Sequence, residues 1–270
     1  ILSPDSWTTY ELVDSGDEEK LESFAGYRII RPDPRILWNK HKPDQWNTYD
    51  ARFIREGETT RWDIRTPVPN PWILTYGDMS FLLEPTDFKH VGVFPEQATN
   101  WNWLRSQCAG QTRPLSVLNL FGYTGAATVA CTKEGCSVTH VDSSKPSLSW
   151  AHENCTRNGI SETLLRWIPE DAETFVTREI KRGNTYDGII LDPPRFGRGS
   201  KGQVFKIEDD LPRLLDGCFR LLSDHPVFFL INAYTADLSS LVIAHLLAPL
   251  ANRFPSEITA GELATAESGV

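Results

Sequence analysis

The rhythm of apolar and polar positions changes near residue 114. Before it, apolar pieces are short and broken by Pro, Gly and polar pairs, at Ser23–Ile30, Ala51–Phe53, Arg61–Ile64, Trp72–Tyr76 and Ser80–Leu83. Short strands at this spacing predict a small antiparallel β or α+β module. From Pro114 onward, apolar runs alternate with amphipathic stretches. Strands are predicted at Leu115–Leu120, Ser137–Val141, Thr163–Trp167, Gly188–Leu191 and Pro226–Asn232. Helices are predicted near Ala126–Glu134, Lys145–Asn158, Glu170–Arg182, Leu211–Leu222 and Ser239–Leu247. Strand and helix in alternation mean βαβ units, and right-handed crossovers impose a doubly wound, mostly parallel α/β sheet of the Rossmann-like kind. Ligands in such sheets bind beyond the strand C-termini, where the strand order reverses.

Each predicted strand end carries polar or turn-forming residues. The first runs into Asn119, Leu120, Phe121, Gly122, Tyr123, Thr124 and Gly125, a turn in which two glycines let backbone approach a ligand at a helix N-terminus. Thr124 breaks the dinucleotide fingerprint, and no Gly-Lys-Ser/Thr follows for a triphosphate loop. The second ends at Asp142, roughly 20 residues after the turn, where a carboxylate grips ribose hydroxyls or caps a helix ahead of Ser143 and Ser144. Glu170-Asp171-Ala172 after the third strand reads first as a helix cap. The fourth is an apolar run stopped by Asp192-Pro193-Pro194. Tandem prolines remove two backbone donors and stiffen the loop, so a carboxylate and an unclaimed carbonyl face an incoming amino group. Phe196 adds a flat face for stacking.

Composition narrows the function. Hydrophobic residues at 40% and charged residues at 23% are ordinary globular values, which excludes disordered and collagen-like classes. The net charge of −9 argues against a broad basic face for nucleic acid. Both the first 110 residues, at −5, and the remainder, at −4, are acidic. Arg195, Arg198, Lys201 and Lys206 nevertheless form a local basic stretch, with Gly197, Gly199 and Gly202 loosening it for phosphate contact. Five cysteines, without CxxC spacing or nearby His ligands, favour neither a disulfide frame nor a metal site, and point to reducing cytoplasm. The longest apolar runs, Val227 to Ile231 and Leu241 to Ala251, fall short of the ~20 residues a membrane span needs. Seven of nine tryptophans lie at or before position 103. That asymmetry divides the chain into an aromatic module, 1–105, and a second domain, 106–270, that holds the α/β sheet.

Over about Lys89 to Tyr234 the chain resembles class I S-adenosylmethionine-dependent methyltransferases, and in particular those that modify large-subunit ribosomal RNA at cytosine carbon or guanine nitrogen. The resemblance rests on Asn119 to Gly125 for the methionine turn, Asp142, Ser143 and Ser144 for the ribose corner, Asp171 and Ala172 for the adenine edge, and Asp192 to Phe196 for the catalytic loop. It implies S-adenosyl-L-methionine as cofactor and RNA as substrate. It also implies that Gln97, with His90 and Phe94, faces the methionine end. Carbon methylation needs a cysteine nucleophile, placed in the resembling enzymes at the end of the fifth strand. Here that strand runs through Asn232 to Tyr234 without one, and Cys218 falls on an apolar helix stripe. Nitrogen methylation is the expectation, with catalytic Asp192, Pro193, Pro194 and Phe196 and substrate contacts from Arg195, Arg198, Lys201 and Tyr234. The family's nitrogen motif has its aromatic residue directly after the second proline, where this chain has Arg195. The alternatives are a protein-amide or small-molecule methyltransferase, or a weakly active cofactor-binding RNA module. The class I fold closes with two further strands. Glu257–Thr265 supplies at most one, which predicts a missing segment or a truncated sheet edge open to pairing.

Overall fold

The computed structural model describes residues 1–270 apart from 5, 6, 58, 199–201, 203, 236, 237, 269 and 270, and apart from the side chain of Arg198. It divides into two compact units, one of residues 1–99 with 263–270 and one of residues 100–262. The division falls six residues before the boundary read from the tryptophans, inside α1 (Ala98–Cys108), a helix absent from the sequence-based expectations.

The first unit holds a sheet ordered β1 (Tyr10–Gly16), β2 (Glu19–Phe24), β3 (Tyr27–Pro32), β4 (Ala51–Glu56) and β5 (Thr59–Ile64). The expected antiparallel pairing holds except between β3 and β4, which run parallel through Ile29 opposite Ala51 and Ile30 opposite Arg52. The single strand expected at Ser23–Ile30 is a hairpin instead. Ala25 and Gly26, both at positive φ, turn the chain between β2 and β3. A separate hairpin, β6 (Trp72–Tyr76) with β7 (Met79–Leu83), alternates strictly: Trp72, Leu74 and Tyr76 are buried opposite Leu83, Phe81 and Met79. Several tryptophans pin irregular chain rather than simply filling core. The indoles of Trp7, Trp38, Trp46 and Trp62 donate to Pro95 O, Ser15 O, Asp14 Oδ2 and Thr86 O.

The last described residues also belong to this unit. Leu263 bridges Leu2 and Glu267 bridges Leu12, both in parallel sense, with Ser268 N donating to Leu12 O at 3.0 Å. Glu267 accepts from Ser15 Oγ, and Lys42 Nζ donates to Ser268 O. The stretch Glu257–Thr265 therefore contributes a single-residue bridge at Leu263 and no strand.

The second unit is the expected α/β sheet. Its strands β8 (Ser116–Leu120), β9 (Ser137–Val141), β10 (Leu165–Ile168), β11 (Gly188–Leu191) and β14 (Phe228–Ile231) run parallel in the order β10-β9-β8-β11-β14. Between them lie α2 (Ala126–Lys133), α3 (Lys145–Arg157), α4 (Ala172–Arg182) and α5 (Ile207–Leu221). A short antiparallel ribbon, β12 (Phe196–Arg198) with β13 (Val204–Lys206), precedes α5, and α6 (Ser240–Arg253) follows β14. Alternation across the central strands separates two cores. Leu118, Leu120, Ile189 and Leu191 face Phe175, Leu211, Leu214 and Cys218, while Val117, Val138 and Ile190 face Leu104, Cys131 and Cys136. Helix α5 starts four residues earlier than expected because Asp210 accepts from Lys206 N, and three acidic residues favour its first turn. No helix among the described residues is long and apolar enough to cross a membrane.

Candidate cofactor site

The chain steps outward from β8 to β9 and β10, then returns to the other side of β8 for β11 and β14. The order reverses between β8 and β11, so the C-terminal ends of these strands flank the crevice that α/β sheets use for ligands.

At the end of β8 the backbone is held in an unusual shape. Phe121 has φ +57°, Tyr123 +49° and Gly125 +84°, and for the two aromatic residues this left-handed region is costly. Four hydrogen bonds hold the turn: Gly122 N to Val141 O at 3.1 Å, Gly125 N to Gly122 O at 3.0 Å, Tyr123 N to Asp142 Oδ2 at 2.9 Å and Asn154 Nδ2 to Thr124 O at 2.8 Å. Gly125 then caps α2 without any side-chain acceptor, leaving first-turn N–H groups for an anionic ligand group. Asn119 lies beneath the turn, its Nδ2 donating to Thr128 Oγ1. Thr124 is buried as well.

Asp142 joins this turn to the next loop. Its Oδ2 takes Tyr123 N and its Oδ1 takes Ser144 N at 2.8 Å, which leaves a lone pair on each oxygen for hydroxyl donors. Burial raises its pKa despite these two N–H groups. The cap of α3 is Ser144, which accepts from Ser147 N at 3.3 Å, so Asp142 is not the helix cap and Ser143 sits half-buried between them. Asp171 is the cap of α4, accepting from Thr174 N at 3.0 Å, and Ala172 behind it is buried.

Asp192 follows β11. Its N–H reaches Leu120 O at 3.4 Å, and Asn232 Nδ2, just past β14, donates to its Oδ1 at 3.0 Å. Pro193 is buried, and no backbone N–H among the described residues donates to its carbonyl. Arg195 pairs with Glu208 at 3.2 Å, both on the surface. Phe196 is 51% exposed and Tyr234 45%. On the opposite face of the ribbon, Phe205 is buried with its ring 5.4 Å from that of Phe121. Lys201 lies outside the described residues, as does the Arg198 side chain.

His90, Phe94 and Gln97 belong to the first unit. The rings of His90 and Phe94 are 4.9 Å apart, and Gln97 ends a 3-10 turn, its N–H on Phe94 O. Burial, with Arg31 and Lys89 nearby, pushes the His90 pKa down to about 4. In the same unit Asp14, His41 and Glu267 bring ligand-type atoms within 4.8 Å of one another. Trp46 Nε1, Lys42 N and His41 N all donate to the Asp14 carboxylate, which is thus an anchor for the surrounding loop.

Asn232, Asn154, Thr128 and His140 escaped the sequence reading. Asn232 carried a signal, being the first polar residue after the apolar run of β14; the others are polar residues inside elements and look like ordinary interior positions. The turn, its uncapped helix and the Asp142 carboxylate fit a ligand with an anionic end and a ribose.

Comparison with known proteins agrees with that geometry. Residues 49–236 match the model of an S-adenosylmethionine-dependent methyltransferase family. A SAM-dependent methyltransferase from Agrobacterium tumefaciens superposes with a TM-score of 0.87 at 41% identity, covering 91% of this chain and 79% of that one. A methyltransferase structure in complex with SAH shares the fold at TM-score 0.73 and 19% identity, over 90% of this chain and 66% of that one. Ribosomal RNA large subunit methyltransferase K of Neisseria meningitidis is 27% identical over 86% of this chain and 66% of its own length. The K/L protein of Pseudomonas putida is 33% identical over 58% of this chain and 21% of its own. This chain thus spans less than two thirds of the length of either ribosomal RNA methyltransferase. By sequence match, sheet order and the shape of the turn after β8, it belongs to the S-adenosylmethionine-dependent methyltransferases.

Proposed function

We propose that this chain transfers a methyl group from S-adenosylmethionine to a nitrogen of ribosomal RNA, without a covalent cysteine adduct. The observation that carries the reading is Asp192, oriented by Asn232 just past β14 and followed by the Pro193 carbonyl, to which no backbone N–H among the described residues donates. The cofactor supplies an already activated methyl group, so the protein's task is to place a nucleophile in line with it and exclude water. In this reading Asp192 and the Pro193 carbonyl accept hydrogen bonds from an amino group and turn its lone pair toward the methyl. Phe196 or Tyr234 stacks on the ring that bears it, and Arg195, Arg198 and Lys201 meet phosphates. Asp142 takes the ribose hydroxyls and Asp171 with Ala172 the adenine edge. The uncapped start of α2 takes the carboxylate, with His90, Phe94 and Gln97 assigned to the methionine end.

Nitrogen is favoured over carbon because all five cysteines are buried. Burial raises the Cys155 thiol to about 12 and Cys218 further, so neither supplies a thiolate at neutral pH. The five unpaired thiols and the RNA substrate fit a cytoplasmic site of action. The test is transfer of labelled methyl to ribosomal subunits from a strain lacking the protein, followed by digestion to nucleosides. An N-methylated base is expected, and Asp192→Ala should abolish labelling while binding cofactor normally. Recovery of 5-methylcytosine, or full transfer by Asp192→Ala, would overturn the proposal.

A further inference from the structure

Beneath the turn after β8 lies a chain of three buried side chains, Asn119, Thr128 and His140, and the proposed chemistry gives the last two no part. Asn119 Nδ2 on β8 donates to Thr128 Oγ1 on α2 at 3.0 Å, and that oxygen lies 2.9 Å from His140 Nδ1 on β9. The Thr128 hydroxyl has one proton, and its only partners among the described residues are these two. Asn119 is the donor in its pair, so the hydroxyl donates to Nδ1 and fixes the imidazole as the Nε2–H tautomer. Burial, partly offset by the Tyr123 backbone, pushes the ring's pKa down to about 3, so it stays neutral. Nε2 is buried, and the Tyr123 backbone is the acceptor its proton faces.

The ring is packed directly against the turn. A Cβ built on Gly122 would lie 2.4 Å from His140 Cε1 and 2.7 Å from both ring nitrogens, so the imidazole fills the space a side chain at 122 would take. From the other side the Trp167 ring, on β10, packs against it at 5.1 Å. Phe121 and Tyr123, which flank Gly122, are the two non-glycine residues of the turn held at positive φ. Strained backbone persists only where its surroundings over-determine it. Asp142 and Asn154 hold the turn by hydrogen bonds to Tyr123 N and Thr124 O, and the His140 ring supports it through Gly122.

We infer that His140 is a positioning residue of the cofactor turn, a neutral wedge oriented by Thr128 and Asn119 that holds Phe121 to Gly125 in the shape that receives S-adenosylmethionine. The inference rests on assigning that turn to the cofactor. It is tested in the full chain with His140→Phe, which keeps a flat ring and deletes both nitrogens, and Thr128→Val, which keeps the ring and deletes the bond that orients it. Cofactor affinity by calorimetry should fall about 10–100-fold in each, the scale of a buried polar group losing its partner. At saturating cofactor, kcat should stay within about threefold, because the loss is in binding. Gly122→Ala should also weaken binding by collision with the ring, and combining it with His140→Ala should restore part of the loss.

Lowered melting temperature with unchanged cofactor affinity in both His140→Phe and Thr128→Val would reduce His140 to core packing and overturn the inference. Simple additivity of Gly122→Ala with His140→Ala would do the same. Should His140→Phe fail to fold, Thr128→Val and the Gly122 pair decide. Asp142→Asn separates the two levels: if it binds cofactor as the wild type does, the assignment of the turn itself fails. If it alone loses binding, only the role of His140 does.

Discussion

Glu179 on α4 has no accessible surface in its side chain, yet it accepts from Arg166, Arg182, Asn184 and Tyr186 at 2.8–3.4 Å. Burial alone would raise its pKa, but the four donors outweigh it and hold the carboxyl down at about 2. The folded pKa is depressed, so the resulting stability is present above the ordinary value of 4.5 and lost as pH falls toward 2. Glu179→Ala should cost about 2 kcal/mol at neutral pH, since it removes the acceptor of the buried Tyr186 hydroxyl, while the half-exposed Arg166 and Arg182 turn to water. Urea unfolding at pH 7 should give that gap, and repeating it toward pH 2 should narrow it. A pH-independent gap would mean that the site is held by packing instead. Residues of this kind were hard to read from sequence. Asp142 and Asp192 stood out because each follows an apolar run, whereas Glu179 and His140 sit within elements, and their partners come from distant parts of the chain.

At the scale of elements, the strands of the parallel sheet were legible because burial on both faces writes a continuous apolar run, as in Gly188–Leu191. Strand β1 was not, because Asp14 and Ser15 are buried polar residues inside it. The Ala25–Gly26 turn was missed because one of its two positive-φ positions is an alanine. The β12–β13 ribbon was also unforeseen, and it links the loop after β11 to the turn after β8. Phe205, opposite Gly197, reaches the core and the Phe121 ring, while its neighbours Val204 and Lys206 face out. Phe205→Ala should destabilise the unit by about 3 kcal/mol. It should also slow methyl transfer at saturating cofactor, read in single-turnover assays, because the ribbon carries Phe196. Unaltered turnover in the folded variant would detach the ribbon from function. Removing the α3 cap with Ser144→Ala should cost about 1 kcal/mol in a thermal melt, and a neutral result would show that Asp142 alone organises that corner.

For the whole molecule, the charge of −9 sets a limit on how the proposed RNA substrate would be held. With about three phosphates neutralised by Arg195, Arg198 and Lys201, affinity should fall about 20–40-fold between 50 and 200 mM salt. A loss of three orders of magnitude would require a basic surface that the composition does not offer. The pairing of residues 263–268 with Leu2 and β1 gives a separate expectation. Truncation after Glu262 should leave the second unit's hydrogen exchange unchanged while speeding exchange along Leu12 to Gly16. Equal protection in both forms would make the C-terminal bridges incidental.

Those bridges also order the events of synthesis. The N-terminal unit emerges first from the ribosome, and Trp38 and Lys42 soon reach Ser15 O and Val13 O of its outer strand, yet the bridge at Leu12 forms only when the chain has passed Glu262. At roughly 5–20 residues per second that wait is on the order of ten seconds or more. Throughout it the backbone at Leu12 is open to other nascent chains and to chaperones. The methyltransferase sheet is continuous in sequence and able to close in the meantime, so the half made first is the half finished last.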